Sequence, residues 1–119
     1  MAQHNDLGNL GEQVAIAYLV NKEYEIIETN WRYKKAEIDI IAKTNQTLVC
    51  VEVKTRSSNH IAEPENFVNQ KKISLLIDAI NQYVEQKEID LDIRFDIISI
   101  LYTNNKYTIK HIENAFYHF

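Results

Sequence analysis

The stretch Ala36–Arg56 constrains this chain more than any other. It reads Ala36-Glu37-Ile38-Asp39-Ile40-Ile41-Ala42, a short polar turn, then Leu48-Val49-Cys50-Val51-Glu52-Val53-Lys54-Thr55-Arg56. Two β-branched runs around a polar turn at Asn45-Gln46 predict an antiparallel hairpin over residues 37–43 and 47–55. Side chains alternate across a strand, so Glu52 and Lys54 share one face while Val51 and Val53 take the other. With Thr44 facing Thr47, Asp39 falls opposite Glu52. A four-residue loop on the same centre gives the same pairing, and an odd-length loop without a bulge does not. Two carboxylates opposed at about 4.5–5.5 Å between Cβ atoms repel unless something positive sits between them. A divalent cation with a substrate phosphate meets that need, and so does an ammonium two residues along the strand. The pattern marks a candidate metal-dependent phosphodiester-cleaving site.

The flanking sequence supplies a scaffold. Residues 6–20 read as a helix with Asp6 as N-cap and Leu7, Leu10, Val14, Ala17 and Tyr18 recurring at helical spacing. Glu12 stands on an apolar flank of it, four and seven residues before Ile16 and Leu19. Either it is a first-turn acid favoured by the helix dipole, or it is held near the paired carboxylates. Tyr24–Arg32, rich in β-branched and aromatic residues, reads as a first strand whose Trp31 and Tyr33 belong to core or surface rather than to base stacking. Ser57–Pro64 is a polar loop directly after the acid-bearing strand, and His60 in it reads as a solvated bystander. A second helix spans Asn69 to Lys87, capped by Asn69, with Leu76, Ala79, Ile80 and Tyr83 on its buried face. Lys72 sits on that stripe at the helix N-terminus, where the dipole disfavours it unless an anion faces it or the side chain snorkels to water. Residues 92–102 and 106–112 form a last hairpin around Asn104-Asn105, a type I′ turn. Arg94 and Asp96 share a strand face and read as a scaffold pair. The expected fold class is α/β: a mixed β-sheet flanked by helices, in the order αβββαββ.

Size and charge narrow the functional classes. A chain of 119 residues is expected to form a single domain over 1–119 that buries roughly two-thirds of its unfolded surface. Its apolar runs are only a few residues long, so no membrane span is expected, and the N-terminal residues lack the layout of a secretory signal. The single cysteine, Cys50, sits in an apolar strand and reads as a buried inert thiol. A cytoplasmic location is the expectation. The net charge of −4 argues against indiscriminate nucleic-acid binding. Arg32, Lys34, Lys35, Lys54, Arg56, Lys71 and Lys72 nonetheless gather around the candidate site in sequence.

An acid in the first helix, Asp39, Glu52-x-Lys54 and a helix bearing Lys72 together resemble the PD-(D/E)xK nuclease superfamily in order and spacing. More narrowly, five motifs resemble the YraN family of small bacterial proteins regarded as predicted endonucleases, distantly similar to archaeal Holliday-junction resolvases. They are Gly8-x-x-Gly11-Glu12-x-x-Ala15, Glu37-Ile38-Asp39, Val51-Glu52-Val53-Lys54-Thr55-Arg56, Arg94-Phe95-Asp96 and Asn114-Ala115-Phe116. The resemblance spans nearly the whole chain and implies a restriction-endonuclease-like core. One departure is Ala36, where the family usually carries glycine.

By that resemblance Asp39 and Glu52, with the Val53 carbonyl, would bind one or two Mg²⁺ (or Mn²⁺) ions. Lys54 would position or help deprotonate the attacking water, and Glu12 would supplement the metal shell. Lys72, Arg56 and, in the sequence patch, Arg32 would hold substrate phosphates. The implied function is a Mg²⁺-dependent endonuclease acting on DNA, branched or otherwise structured, with a homodimer possible by analogy with junction resolvases. The alternative is a non-catalytic nucleic-acid-binding accessory module in DNA repair or recombination, and a third is a protein-interaction scaffold. A module that only binds has no evident use for two carboxylates where a phosphate must approach, which favours the first.

Overall fold

In a computed structural model, which describes residues 3–57 and 69–116 with side chains from residue 7 onward, the chain is an α/β protein of two helices and a five-stranded mixed sheet. The elements are α1 (Gln3–Asn21), β1 (Glu25–Tyr33), β2 (Ala36–Thr44), β3 (Thr47–Ser57), α2 (Gln70–Lys87), β4 (Asp92–Thr103) and β5 (Lys106–Ile112). The strands lie in sequence order, β1-β2-β3-β4-β5. β3 and β4 run parallel across the α2 crossover, and every other neighbouring pair is antiparallel. Residues 58–64 of the polar loop, with His60, lie outside the described residues.

Each helix covers one face of the sheet. The α2 stripe Leu76, Ala79, Ile80 and Tyr83 packs on Ile38, Ile41, Leu48, Cys50 and Phe95. Trp31 joins that core with its ring edge-on to Tyr83 at 5.1 Å. On the other face Ala15 and Leu19 of α1 pack on Ile40, Ala42, Val49, Val51, Ile98 and Ile100. Cys50 is buried, and burial pushes its thiol pKa up, as an inert core thiol requires.

Local chemistry sets the turns. Asn69 takes an extended backbone and accepts the Lys72 N–H on Oδ1 at 2.8 Å, an N-cap. Glu88 closes α2 in the left-handed region. Asn104 and Asn105 both have positive φ (53° and 62°), which a type I′ hairpin demands. In the turn before β2 the positive φ falls on Lys34, at 56°. Ala36 therefore needs no glycine-only conformation, and its methyl is buried in the α2-side core.

Two expectations about α1 need correction. Its backbone is already helical at Gln3, so Asp6 lies inside the helix rather than capping it. Its buried line is Gly11-Ala15-Leu19, whereas Leu10 and Ala17 are exposed. The cause is Gly11. A Cβ there would fall 2.9 Å from Thr55 Cβ and closer still to its hydroxyl, so the bare backbone lies directly against β3. This close approach rolls the helix until Glu12 borders the sheet.

Candidate active site

The hairpin register follows from its turn. Asn45 takes a positive φ of 53°, and pairs run from Thr44↔Thr47 to Ile40↔Val51. The ladder ends there. One residue on, Asp39 does not continue it but accepts the Val53 N–H on Oδ2 at 2.8 Å. β2 stays paired with β1 down to Ala36, so β2 parts from β3 while remaining in the sheet. Alternation also breaks at this point. Ile38 faces α2 while Ile40 faces α1. Across from Asp39 the β1–β2 pairing skips Asn30, which has a positive φ of 53°. The Asp39 carboxylate thus stands in the gap between two separating strands, level with the sheet. In a strand the N–H and C=O of one residue leave by the same edge, so the Val53 carbonyl faces this gap too.

Glu52 lies on the α2 side of β3 and is buried to 8 % exposure. Its Oε2 receives the Lys72 ammonium at 2.5 Å, and Lys54 Nζ lies 3.9 Å from the same oxygen. The lysine at the helix N-terminus has found the anion its position calls for. Glu12, reaching in from α1, adds its charge to the Asp39 environment, as does Lys72. Asp39, Glu52, Lys54, Lys72, Arg56 and Glu12 therefore converge, brought from two helices and two strands. Arg32 stands apart. It sits on edge strand β1, largely exposed, 3.8 Å from Glu37 across the β1–β2 pair.

The electrostatics follow from crowding and burial. Desolvation, with help from Glu52 and against the Val53 hydrogen bond, raises Asp39 from 3.8 to about 7. Burial lowers the Lys54 pKa; Glu52 opposes this while Lys72 and Arg56 add to it. Arg56 Nε is buried and has no hydrogen-bond partner among the described residues. An open groove of about 270 Å³ adjoins Lys72, between Lys35 and the start of β2 (Ala36, Glu37) on one side and the cap and first turns of α2 (Asn69, Lys71, Lys72, Leu75) on the other. Among the described residues no three or more His, Cys, Asp or Glu side chains form a metal-enclosing cluster. The donor set is instead two carboxylates and a strand carbonyl. Mg²⁺ is commonly held by one or two carboxylates, keeping water and substrate oxygens for its remaining positions, so the set fits that ion.

A second buried network was only half visible in the sequence. Asp96, fully buried, accepts Arg94 Nε and Nη2 (2.9 Å each) and the Asn114 N–H (3.1 Å), and meets His111 Nε2 at 2.7 Å. Tyr18 OH lies 3.0 Å from His111 Nδ1, and Arg94 also donates to Tyr24 OH at 2.7 Å. Burial alone would raise Asp96, but the bonds from His111, Arg94 and Asn114 outweigh it and hold the pKa below the usual value. The hairpin register carries the clue to His111. Pairing Ile98 with His111 places that ring diagonal to Asp96 on the α1 face. This network ties α1, the residue leading into β1, β4, β5 and the segment after β5 together on the opposite face from Glu52, Lys54 and Lys72.

The profile of the uncharacterised protein family UPF0102 matches residues 11–100, a span holding every residue of the candidate site. Among curated proteins the chain is 52 % identical to UPF0102 protein FP2501 of Flavobacterium psychrophilum over 119 residues, the whole of both chains. It is 51 % identical to a UPF0102 protein of Christiangramia forsetii, again over the whole of both. A UPF0102 protein of Bacteroides thetaiotaomicron is 44 % identical over 117 residues, 98 % of this chain and 97 % of that one. No helix among the described residues is long and apolar enough to cross a membrane.

Proposed function

The chain belongs to the uncharacterised protein family UPF0102, the YraN family, and on that premise we propose that it is a divalent-metal-dependent endonuclease that hydrolyses phosphodiester bonds in DNA, branched or structured DNA first among its substrates. One observation carries the reading: Asp39 is held by the Val53 N–H in the gap where β2 leaves β3, with Glu52 and two lysines at its side. A carboxylate raised to about 7 by burial next to another acid is poorly placed for stability alone. A divalent cation offsets that cost. The helix–strand order with this site is compatible with a restriction-endonuclease-like core.

Asp39, Glu52 and the Val53 carbonyl would hold Mg²⁺ or Mn²⁺, with Glu12 bordering them. When bound, the ion lowers the pKa of water and offsets charge building on the phosphate. The chain's own groups do the rest. Lys54, half-buried with a lowered pKa, positions the attacking water, shares in its deprotonation and donates to the developing negative charge. Lys72, paired to Glu52 in this structure, turns to a phosphate oxygen as substrate enters. Arg56 brings an unmet buried donor to the same task.

The test is to incubate purified protein with linear, nicked, flap and four-way DNA in Mg²⁺ or Mn²⁺, alongside Lys54→Ala. Cleavage by the wild type, absent in the variant, supports the reading. No cleavage of any substrate with either ion transfers the weight to a non-catalytic nucleic-acid-binding module.

A further inference from the structure

The α2-side face of the sheet does not end at Glu52. Helix α2 packs on β1 and β2 and, through its apolar stripe, on Leu48, Cys50 and Phe95 of β3 and β4, and its Lys72 pairs with Glu52 of β3. Beyond that point strand alternation fixes what shares the face. On β3 it carries Lys54 and Arg56, on β4 Ser99, Leu101 and Thr103, and on β5 Lys106, Thr108 and Lys110. The registers join them into rows: Lys54↔Ser99↔Lys110, Arg56↔Leu101↔Thr108, and Thr103↔Lys106. The other face of the same segments carries Val53, Thr55, Ile98, Ile100, Tyr107, Ile109 and His111. Among the described residues of these strand segments, Lys54, Arg56, Lys106 and Lys110 therefore share one side beyond Glu52, in a chain whose net charge is −4. Lys106, Thr108 and Lys110 are exposed.

We propose that Lys106 and Lys110 of β5 bind the nucleic-acid backbone, extending Lys54 and Arg56 into a phosphate track across the sheet from the candidate active site. This rests on the nuclease reading above and names what nothing in that reading assigns, the direction in which the substrate leaves the site. Two strand spacings separate Lys54 from Lys110, about 9.5 Å, close to the rise of about three base pairs. Hydroxyls of Ser99 and Thr108 between the bases are donors of the kind that position a backbone without reading sequence. The track thus favours a duplex arm and is indifferent to its sequence.

The experiment measures binding of a fluorescent duplex and a four-way junction in EDTA, which separates binding from cleavage, over a series of salt concentrations. Lys106→Ala/Lys110→Ala is compared with wild type and with a control of equal charge change, Lys22→Ala/Lys87→Ala, at the ends of the helices. The track variant should lose about two from the slope of log K against log salt and bind about tenfold more weakly, the control neither. A track variant that matches wild type, or a control that falls equally, overturns the track while leaving the nuclease reading in place. Wild-type protein that binds neither substrate at low salt overturns the track, and the cleavage panel then decides the reading beneath it.

Discussion

The Asp39 carboxylate accepts the Val53 N–H at 2.8 Å at the place where β2 and β3 stop pairing. A side-chain acceptor has taken over a backbone donor that the ladder left unmatched, and that exchange opens the sheet between two acids. Measurable consequences depend on it.

Asp39 makes the metal-free protein lose stability as pH rises. Its folded pKa of about 7 exceeds its ordinary 3.8, so the folded state holds the proton longer than the unfolded chain does. The contribution is intact below about 4 and is lost progressively by about 7. Urea denaturation in EDTA should show the wild type falling relative to Asp39→Asn by on the order of 2 kcal/mol between pH 4 and pH 8, after discounting for partial exposure. Equal pH dependence in the two proteins would remove the physical basis for the shift.

Lys54 and Lys72 should separate kinetically although both face one Glu52 oxygen. In single-turnover cleavage, Lys54→Ala is expected to lower the rate at saturating DNA by about 100-fold or more. Lys72→Ala should mainly weaken substrate binding. The Mg²⁺ concentration needed for half-maximal rate should fall as pH rises through about 7, because Asp39 of the metal-free protein must lose its proton to take the ion. Loss of binding alone in both variants would deny Lys54 its chemical role.

Gly11 and Gly8 should respond oppositely to alanine. Gly11→Ala drives a methyl into Thr55 and should cost about 1–3 kcal/mol in thermal or urea unfolding. A methyl on Gly8 would meet nothing within 4 Å, so Gly8→Ala should be neutral or stabilise the helix by up to about 1 kcal/mol. Activity should fall in the first variant even where it folds, because α1 then shifts Glu12.

Asp96 serves the fold. Removing it as Asp96→Ala leaves Arg94 without its bidentate partner and should destabilise by about 3–5 kcal/mol. Its folded pKa is depressed, so its stabilisation is present above about 4 and fades as pH falls further, the reverse of Asp39. Chemical denaturation at pH 7 and pH 3 reads both effects. Divalent-ion binding should survive in a folded Asp96→Asn protein.

Much of this was legible because it is local. The turn chemistry of Asn45 and Asn104-Asn105, the Asn69 cap and the α2 stripe follow from residue type and spacing; the hairpin register was legible too, but its ladder stops at Ile40↔Val51, one pair short of the expected Asp39–Glu52 opposition. Lys72 was legible as an anomaly, a cation at the wrong end of a helix. The break in alternation at Asp39 was not, since strand periodicity assumes an unbroken pleat and the matching kink sits on Asn30 of another strand. The roll of α1 was hidden too: Leu10 and Ala17 look like core until Gly11 meets Thr55, a contact between residues far apart in sequence. Tyr18, Tyr24 and His111 joined Arg94 and Asp96 for the same reason, each on a separate element.

The most direct test of the carboxylate pair as a cation site is a Mn²⁺ titration at pH 8 followed by electron paramagnetic resonance, on wild type, Asp39→Asn and Glu52→Gln. Saturable binding by the wild type and its loss in each variant is the expected result, with both variants folded by circular dichroism. Mn²⁺ binding of equal strength in all three proteins, or none in any, would contradict it.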